Sequence, residues 1–265
     1  MNLEKEKRPI RISQVIKEEK VKTDTIAVFY LAQAGFCFKD SRGQTVYLDP
    51  YLTDSCNRLF GFKRMIPSVI TPEEVNADIL VSTHSHLDHL DVDAVPSFAK
   101  NPKTCFVGSP DCEEVYRKFR IPEQRYSILK RGHSVTIKGI TLKATYADHG
   151  KLAPEAVGFL IDLDGIKIYN VGDSAYAPKK IMDSLKTKVD IMISPINGKF
   201  GNMDAKETCR LAGVIKPKIL IASHFWMFIQ HNGDPEKFLK EAKKLPEGIR
   251  ALVMAPGEKL IYVQG

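Results

Sequence analysis

The chain predicts an α/β protein in which two β-sheets pack face to face with helices on the outside. Two observations carry that reading. Strand-type runs rich in Val, Ile, Phe and Tyr form two meanders, over residues 26–48 and 135–169, and each gives way to alternating strand and helix signals. An apolar sheet face needs a partner surface, and packing one sheet on the other supplies it. No motif-level repeat links the halves, although they are organised alike.

The elements follow in order. Residues 9–20 place Ile10, Ile12, Val15 and Ile16 among charges, an irregular amphipathic helix expected as an N-terminal arm over residues 1–24, before a domain over 25–265. Residues 26–31, 35–38 and 45–48 read as strands, the last two joined by the turn Asp40-Ser41-Arg42-Gly43. Residues 51–72 hold Gly, Pro, Asn and Ser without periodicity, a long loop of the kind that often covers a site. Residues 79–82 make a short buried strand, and Asp91, ahead of Val92, Ala94, Val95 and Phe98, is expected to cap a helix reaching about residue 99. A strand at 105–107 and a helix over 110–119 repeat the rhythm, followed by strands at 135–137, 140–144, 157–161, 166–169 and 219–222.

With 43% hydrophobic residues and no linker-like or low-complexity tract, a single domain with a large core is expected. The N-terminal stretch is charged throughout and no segment approaches the apolar length that spans a bilayer, so a cytoplasmic protein without membrane contact is expected. Cys37, Cys56, Cys105, Cys112 and Cys209 are scattered, odd in number and without metal-type spacing, and read as reduced thiols. Thirty-nine basic against 32 acidic residues give a formal charge of +7. That balance suits a small anionic ligand or a solvated basic surface. No compact basic run with interleaved aromatics occurs, so no nucleic-acid partner is expected. Assembly stays open, a homo-oligomer included.

The chemistry concentrates in Thr83-His84-Ser85-His86-Leu87-Asp88-His89-Leu90-Asp91, where three of the seven histidines and two carboxylates follow the 79–82 strand. A strand end holds the loop rigidly at its root, and the loop backbone lets His84, His86, Asp88 and His89 turn to one point, as metal ligands must. Loop histidines without a shared role would have no reason for the alternation His-x-His-x-Asp-His. Imidazole together with carboxylate suits zinc, manganese or iron better than calcium or magnesium, which prefer oxygen shells.

Four more strand ends carry polar groups. Asp49 leaves the 45–48 strand ahead of Pro50, and either orients a ligating histidine or forms a simple Asp-Pro turn. His149, in Tyr146-Ala147-Asp148-His149-Gly150, is a candidate third histidine beside His84 and His86; taken alone it reads as a surface residue, and Asp148 is the poorer ligand. Asp173, after Gly172, can set two oxygens between two cations, whereas capping a helix near Pro178 is poorly spaced. His224 ends an apolar strand before Phe225 and the only tryptophan, and either completes a site with Asp88 and His89 or is a core histidine bonded to backbone. His133 reads as structural, and His231 as a surface residue ahead of a substrate contact. Two neighbouring sites result: His84, His86, His149 and Asp173 in one, and Asp88, His89, His224 and the same Asp173 in the other.

These residues resemble the metallo-β-lactamase-fold hydrolases. The run from Thr83 to His89 matches their His-x-His-x-Asp-His motif, and Leu48-Asp49-Pro50 before it, then His149, Gly172-Asp173 and Ser223-His224, match their other motifs in order. Within that superfamily the chain looks most similar to the L-ascorbate-6-phosphate lactonase group and related metal-dependent hydrolases. The charged N-terminal helix, Tyr30-Leu31-Ala32-Gln33-Ala34-Gly35-Phe36, Gly172-Asp173-Ser174-Ala175-Tyr176, Gly201-Asn202-Met203-Asp204 and residues 224–235 carry that likeness. The loop 51–72 looks shorter than the lactonase's and the lactonase's C-terminal extension is missing, and both bear on substrate. The resemblance implies a four-layer αββα sandwich of two mixed sheets, a cleft at the sheet edges, and one or two divalent ions, zinc in most members and manganese in the lactonase. Cys56 and Cys209 fall in none of the matched motifs, so a cysteine-ligated site is not implied.

The expected activity is metal-dependent hydrolysis. A divalent ion lowers the pKa of water from about 15.7 to about 7 for attack on an ester-type carbonyl, and Asp88 or Asp173 is the catalytic carboxylate that takes the proton and returns it to the leaving alkoxide. The bond opened is expected to be a lactone or related ester of a phosphorylated sugar acid such as L-ascorbate 6-phosphate. Lys199, Lys179 and Arg64 are candidates to hold the phosphate, with Tyr176 as a further candidate contact. A phosphodiesterase or nuclease of the same fold is the alternative among hydrolases. A non-catalytic metal-binding regulatory protein is the alternative outside them, and the complete ligand set argues against it.

Overall fold

Burial of the first strand sets the layering. The computed structural model describes residues 11–265, so Ile10 of the amphipathic pattern lies outside the described residues. Strand β1 (Thr25–Ala32) is buried at all eight positions, and because side chains alternate across a strand, both of its faces are covered. Ile26, Val28 and Tyr30 enter an apolar cluster shared with Ile140, Leu142, Phe159 and Ile161 of the second sheet. Ala27, Phe29 and Leu31 enter another, shared with Ile12, Ile16, Val95, Phe98 and Tyr116 of the helices outside. One core therefore lies between the sheets and one beneath the outer helices.

The first sheet adds β2 (Gly35–Lys39), β3 (Thr45–Leu48), β4 (Ile79–Ser82), β5 (Cys105–Gly108) and β6 (Tyr126–Ile128), with α1 (Ile12–Glu18), α2 (Ser55–Phe60), α3 (Val95–Ala99) and α4 (Cys112–Lys118) accompanying it. The second sheet comprises β7 (Ser134–Ile137), β8 (Ile140–Tyr146), β9 (Val157–Leu163), β10 (Ile166–Asn170), β11 (Ile191–Pro195), β12 (Ile219–Ser223) and β13 (Arg250–Leu252). It is covered by α5 (Pro178–Leu185), α6 (Ala205–Ile215) and α7 (Pro235–Ala242). The last strand, β14 (Lys259–Val263), returns to pair antiparallel with β1. The result is the four-layer sandwich of two mixed seven-stranded sheets, in the orders β14-β1-β2-β3-β4-β5-β6 and β13-β12-β11-β10-β9-β8-β7.

The two sheets share a plan. Four antiparallel strands, β14-β1-β2-β3 in one and β7-β8-β9-β10 in the other, are each extended by three strands in parallel. That shared plan gives structural content to the likeness of the two halves. The arm docks as well: buried Lys39 sends its Nζ to the carbonyls of Ile16 (2.7 Å) and Lys17 (2.9 Å), closing the C-terminal end of α1, where a cation is favoured.

Asp91 does not cap a helix. Helix α3 begins at Val95 with Ala94 before it and no side-chain cap. The Asp91 carboxylate instead accepts from Leu52 N and Thr53 N (both 2.8 Å) and Thr53 Oγ1 (2.6 Å), tying the root of the 51–72 segment to the histidine loop. Among the described residues no helix is long and apolar enough to cross a membrane, and the five cysteines are unpaired.

Candidate metal centre

The ends of β3, β4, β8, β10 and β12 deliver Asp49, the 84–89 loop, His149, Asp173 and His224 to one cluster. Three overlapping groups have their donor atoms within 4.8 Å of one another: His84, His86 and His149; His84, His89 and Asp173; and Asp88, His89 and His224. Asp173 stands between the flanking groups, with Oδ1 3.0 Å from His224 Nε2 and 3.4 Å from His89 Nε2, and Oδ2 3.7 Å from His149 Nε2. The structure thus brings together all seven residues of the two expected sites, with Asp173 shared.

The donors fit divalent cations. Among the described residues, buried His84 Nε2 has no hydrogen-bond partner, a deficit of about 1–3 kcal/mol that a cation would remove. Burial pushes His84 well below the ordinary imidazole range and lowers His149, so both offer a neutral lone pair. Burial also opposes charge on His89, but Asp173, Asp49 and Asp88 around it hold its pKa well above the usual value. Burial likewise opposes charge on Asp173, yet His224 and His89 keep it well below the carboxylate range, and Asp88 is lowered by His89 and His224. Ionised carboxylates around a central positive charge are the electrostatics of a cation site. Imidazole with carboxylate is a donor set suited to transition metals.

Asp49 lies directly behind these donors. Its Oδ2 accepts from His89 Nδ1 and Thr83 Oγ1 and its Oδ1 from Thr83 N, each at 2.8 Å, which turns His89 Nε2 toward the cluster. The Thr83 hydroxyl proton being committed to Asp49, its oxygen accepts from His84 Nδ1 at 3.0 Å. His84 then also faces inward through Nε2. On the other side Gln33 Nε2 lies 2.8 Å from Asp88 Oδ2 and 3.1 Å from His224 Nδ1, and Asn202 Nδ2 donates to Asp173 Oδ2 at 2.8 Å. Gln33, Thr83 and Asn202 had no assigned role in the sequence, and their only signal was their place in motif segments. Asp49 (φ 45), Gln33 (φ 55) and His224 (φ 60) all adopt left-handed backbone, a strain of order 1–3 kcal/mol each that gathers at functional sites.

A cleft of about 300 Å³ opens over the cluster, walled by Phe60, Phe62, Leu87, Leu152, Phe200 and Phe228. No lysine or arginine lines it among the described residues, which corrects the candidate phosphate contacts. The Arg64 guanidinium donates to the carbonyls of Thr53 (3.0 Å), Ile66 (3.2 Å) and Tyr51 (3.3 Å) and stacks 4.8 Å over the Tyr51 ring, bracing its own loop. Lys179 and Lys199 are exposed and stand outside the cleft lining. Tyr176 packs toward the core beneath the Arg210 guanidinium, 4.6 Å from its ring. His231 departs from the surface reading in the other direction. It is buried, lines the cleft with its ring 4.9 Å from that of Phe228, and is pushed by burial down to about 4.

A His/Asp cluster of this kind at the strand ends of a two-sheet sandwich is the arrangement of the metallo-β-lactamase fold. Residues 27–224 match the family described as β-lactamase superfamily domain. A UPF0173 metal-dependent hydrolase of Thermoplasma acidophilum is 31% identical over 208 residues, covering 76% of this chain and 85% of that protein. One from Sulfolobus acidocaldarius is 31% identical over 220 residues, covering 81% and 90%. Among solved structures, the isothiocyanate hydrolase from Delia radicum gut bacteria has a TM-score of 0.71 at 19% identity, covering 90% of this chain and all (100%) of that one. The metallo hydrolase Igni18 of Ignicoccus hospitalis has 0.69 at 21%, covering 90% and 98%. The chain belongs to the β-lactamase superfamily, alongside the UPF0173 metal-dependent hydrolases. It is a metal-dependent hydrolase with a His/Asp cluster able to bind metal. That description is broader than the lactonase group its motifs resemble.

Proposed function

We propose that the protein hydrolyses a small carboxylic ester, lactones included, whose acyl part is apolar and uncharged. The observation that carries this reading is a His/Asp cluster on the floor of a cleft whose other walls are mainly aromatic and aliphatic and, among the described residues, carry no lysine or arginine. Divalent ions held there, Mn or Zn by donor type, would supply Lewis acidity at the carbonyl and an activated water at neutral pH. Asp88, half-buried and facing the cleft, stays ionised and accepts the proton, with Gln33 holding its Oδ2. The same carboxyl then returns the proton to the leaving oxygen. Asp173, fixed by Asn202, keeps the two donor groups in register, and the apolar walls exclude competing water.

A phosphorylated sugar acid is the weaker candidate, because the side chains expected to hold its phosphate stand elsewhere. Any carboxylate on the substrate would be taken by the metal centre itself. The phosphodiesterase alternative draws on the two donor groups that flank Asp173, since two cations also clamp in-line displacement at phosphorus. The test is to load the protein with Mn or Zn, quantify the metal, and assay simple lactones, 4-nitrophenyl pentanoate, L-ascorbate 6-phosphate and bis(p-nitrophenyl) phosphate side by side. The expected result is turnover of the neutral esters or lactones, lost in His86→Ala. Turnover of the phosphodiester alone would overturn it.

A further inference from the structure

We propose that His231 is a catalytic residue, its imidazole N–H donating a hydrogen bond to the leaving oxygen as the ester bond opens. The proposal rests on the hydrolytic reading above. His231 ends the turn Ile229–His231, between β12 and α7. That segment is folded back on itself: Gly233 N donates to His224 O (3.2 Å), Trp226 N donates to the Asn232 side chain, and Phe225 forms a bridge with Gly233. The imidazole is thereby set among Phe228, Phe200 and Phe62, with ring centroids 4.9, 5.4 and 5.9 Å away, and 5.8 Å from the ring of His224. No hydrogen bond within the described residues involves either ring nitrogen, and neither is among the sealed, unpartnered polar atoms of the interior. Both therefore keep an opening to solvent, and for a residue enclosed by aromatic rings that opening is the cleft it lines.

A phenylalanine would pack against the same three rings with no polar atom to desolvate, so packing gives no reason for histidine here. Water on the ring nitrogens stands in the cleft, where a substrate displaces it. The other polar side chains of the cleft outside the metal cluster are committed or poor donors. Ser85 Oγ donates to Asp111 Oδ2 (2.9 Å), Asn202 Nδ2 donates to Asp173 Oδ2 (2.8 Å), the Asn197 carboxamide is sealed from solvent, and the Cys56 thiol is a weak donor. Among the described residues that leaves His231 as the one good donor of the cleft free for a substrate. Ester hydrolysis puts charge on two oxygens: the carbonyl oxygen, met at the cluster, and the leaving oxygen, to which Asp88 returns the proton. Asp88 and His231 lie close enough for the charge on each to bear on the other, so the leaving oxygen on that side falls to His231. An imidazole carries at least one N–H in either protonation state, and the aromatic surround strengthens its hydrogen bond to a developing charge.

The experiment uses the full, metal-loaded chain and the ethyl, phenyl and 4-nitrophenyl esters of pentanoate, whose leaving groups fall in pKa in that order. A donor to the leaving oxygen matters most where that oxygen is most basic. His231→Phe is expected to lose roughly 100-fold in kcat/KM on the ethyl ester and progressively less on the other two, so the dependence on leaving-group pKa steepens. His231→Gln, which keeps an N–H, is expected to recover about tenfold of the loss on the ethyl ester. Both variants are expected to keep the wild-type metal content. Calorimetric binding of ethyl butylphosphonate and of butyl(propyl)phosphinate, in which a methylene replaces the bridging oxygen, gives a readout free of turnover. The affinity ratio of phosphonate to phosphinate is expected to fall roughly 10-fold in His231→Phe. If no ester is hydrolysed but that ratio falls, ester hydrolysis fails as the activity and the His231 contact stands. Equal losses on all three esters, no loss on any of them, metal lost from both variants, an unchanged affinity ratio, or wild-type protein that binds neither ligand overturns the assignment.

Discussion

The two halves of the sandwich supply the metal cluster in opposite ways. The first sheet contributes His84, His86, Asp88 and His89 from a single loop after β4, while the second contributes His149, Asp173 and His224 from three separate strand ends. In space the division disappears. His149 joins His84 and His86, His224 joins Asp88 and His89, and Asp173 adjoins both sets. Each candidate site straddles the interface between the sheets, so a bound ion would staple one half to the other. A compact motif therefore fixes the kind of chemistry, while scattered residues on the opposite sheet complete it.

The largest expected effect lies at the shared residue. Asp173→Ala should remove metal from both groups and lower hydrolysis by roughly 10³-fold or more, whereas His86→Ala should keep the ion held by Asp88, His89 and His224. Metal analysis of the two purified variants decides this; equal losses would end the distinction between a shared and a one-sided donor. Next in size, stripping the metal with a chelator should lower the thermal midpoint, since ligands from both sheets make binding free energy part of folding, about 4 kcal/mol at a thousandfold excess over Kd. An unchanged midpoint in calorimetry would mean that the ions do not join the halves.

Smaller effects sharpen the same contrast behind the donors. Asp49→Asn should weaken metal affinity roughly 10- to 100-fold in a chelator competition, because His89 loses the carboxylate that orients it. Asn202→Ala, which removes a single hydrogen bond to Asp173 on the other half, should weaken it less; the reverse order would show the second sheet to be the more sensitive support. The last effect is pH-linked and belongs to His231. Burial holds its folded pKa at about 4 against an ordinary 6.5, so the unfolded chain takes the proton first. Stability should then fall as pH drops from 6.5 toward 4, by at most about 1.4 kcal/mol per pH unit. His231→Phe should show a shallower loss of melting temperature between pH 7 and pH 5 than wild type, and parallel curves would contradict the assignment.

Much of the architecture was legible before the structure. Strands at 26–31, 45–48 and 79–82 carry apolar runs that only a sheet covered on both faces explains, and β1 is buried at every position. Strand β14 was not legible. Its burial alternates, but the outward positions Ile261 and Val263 are apolar, so residue type shows no inward and outward face, and its partner β1 lies near the opposite end of the chain. Asp91 misled for a related reason: a carboxylate before an apolar run suits a helix cap, but the unsatisfied amides of Leu52 and Thr53, far away in sequence, lie closer to it in space. Arg64 and His231 exchanged environments in the same way, the arginine turning to carbonyls of its own loop and the histidine turning inward among aromatic rings.

By itself the sequence determined which donor types meet and on what framework. A His-x-His-x-Asp-His loop after a buried strand, and further His and Asp residues at later strand ends, are local features whose chemistry follows from residue type and spacing. Only the tertiary structure decided how those donors are held and what they face. Asp49 behind His89, Gln33 between Asp88 and His224, Asn202 on Asp173 and the uncharged wall of the cleft are all contacts between residues far apart in the chain. Those contacts depend on how two sheets pack and which side chains their loops leave without a partner, and no local pattern encodes that packing.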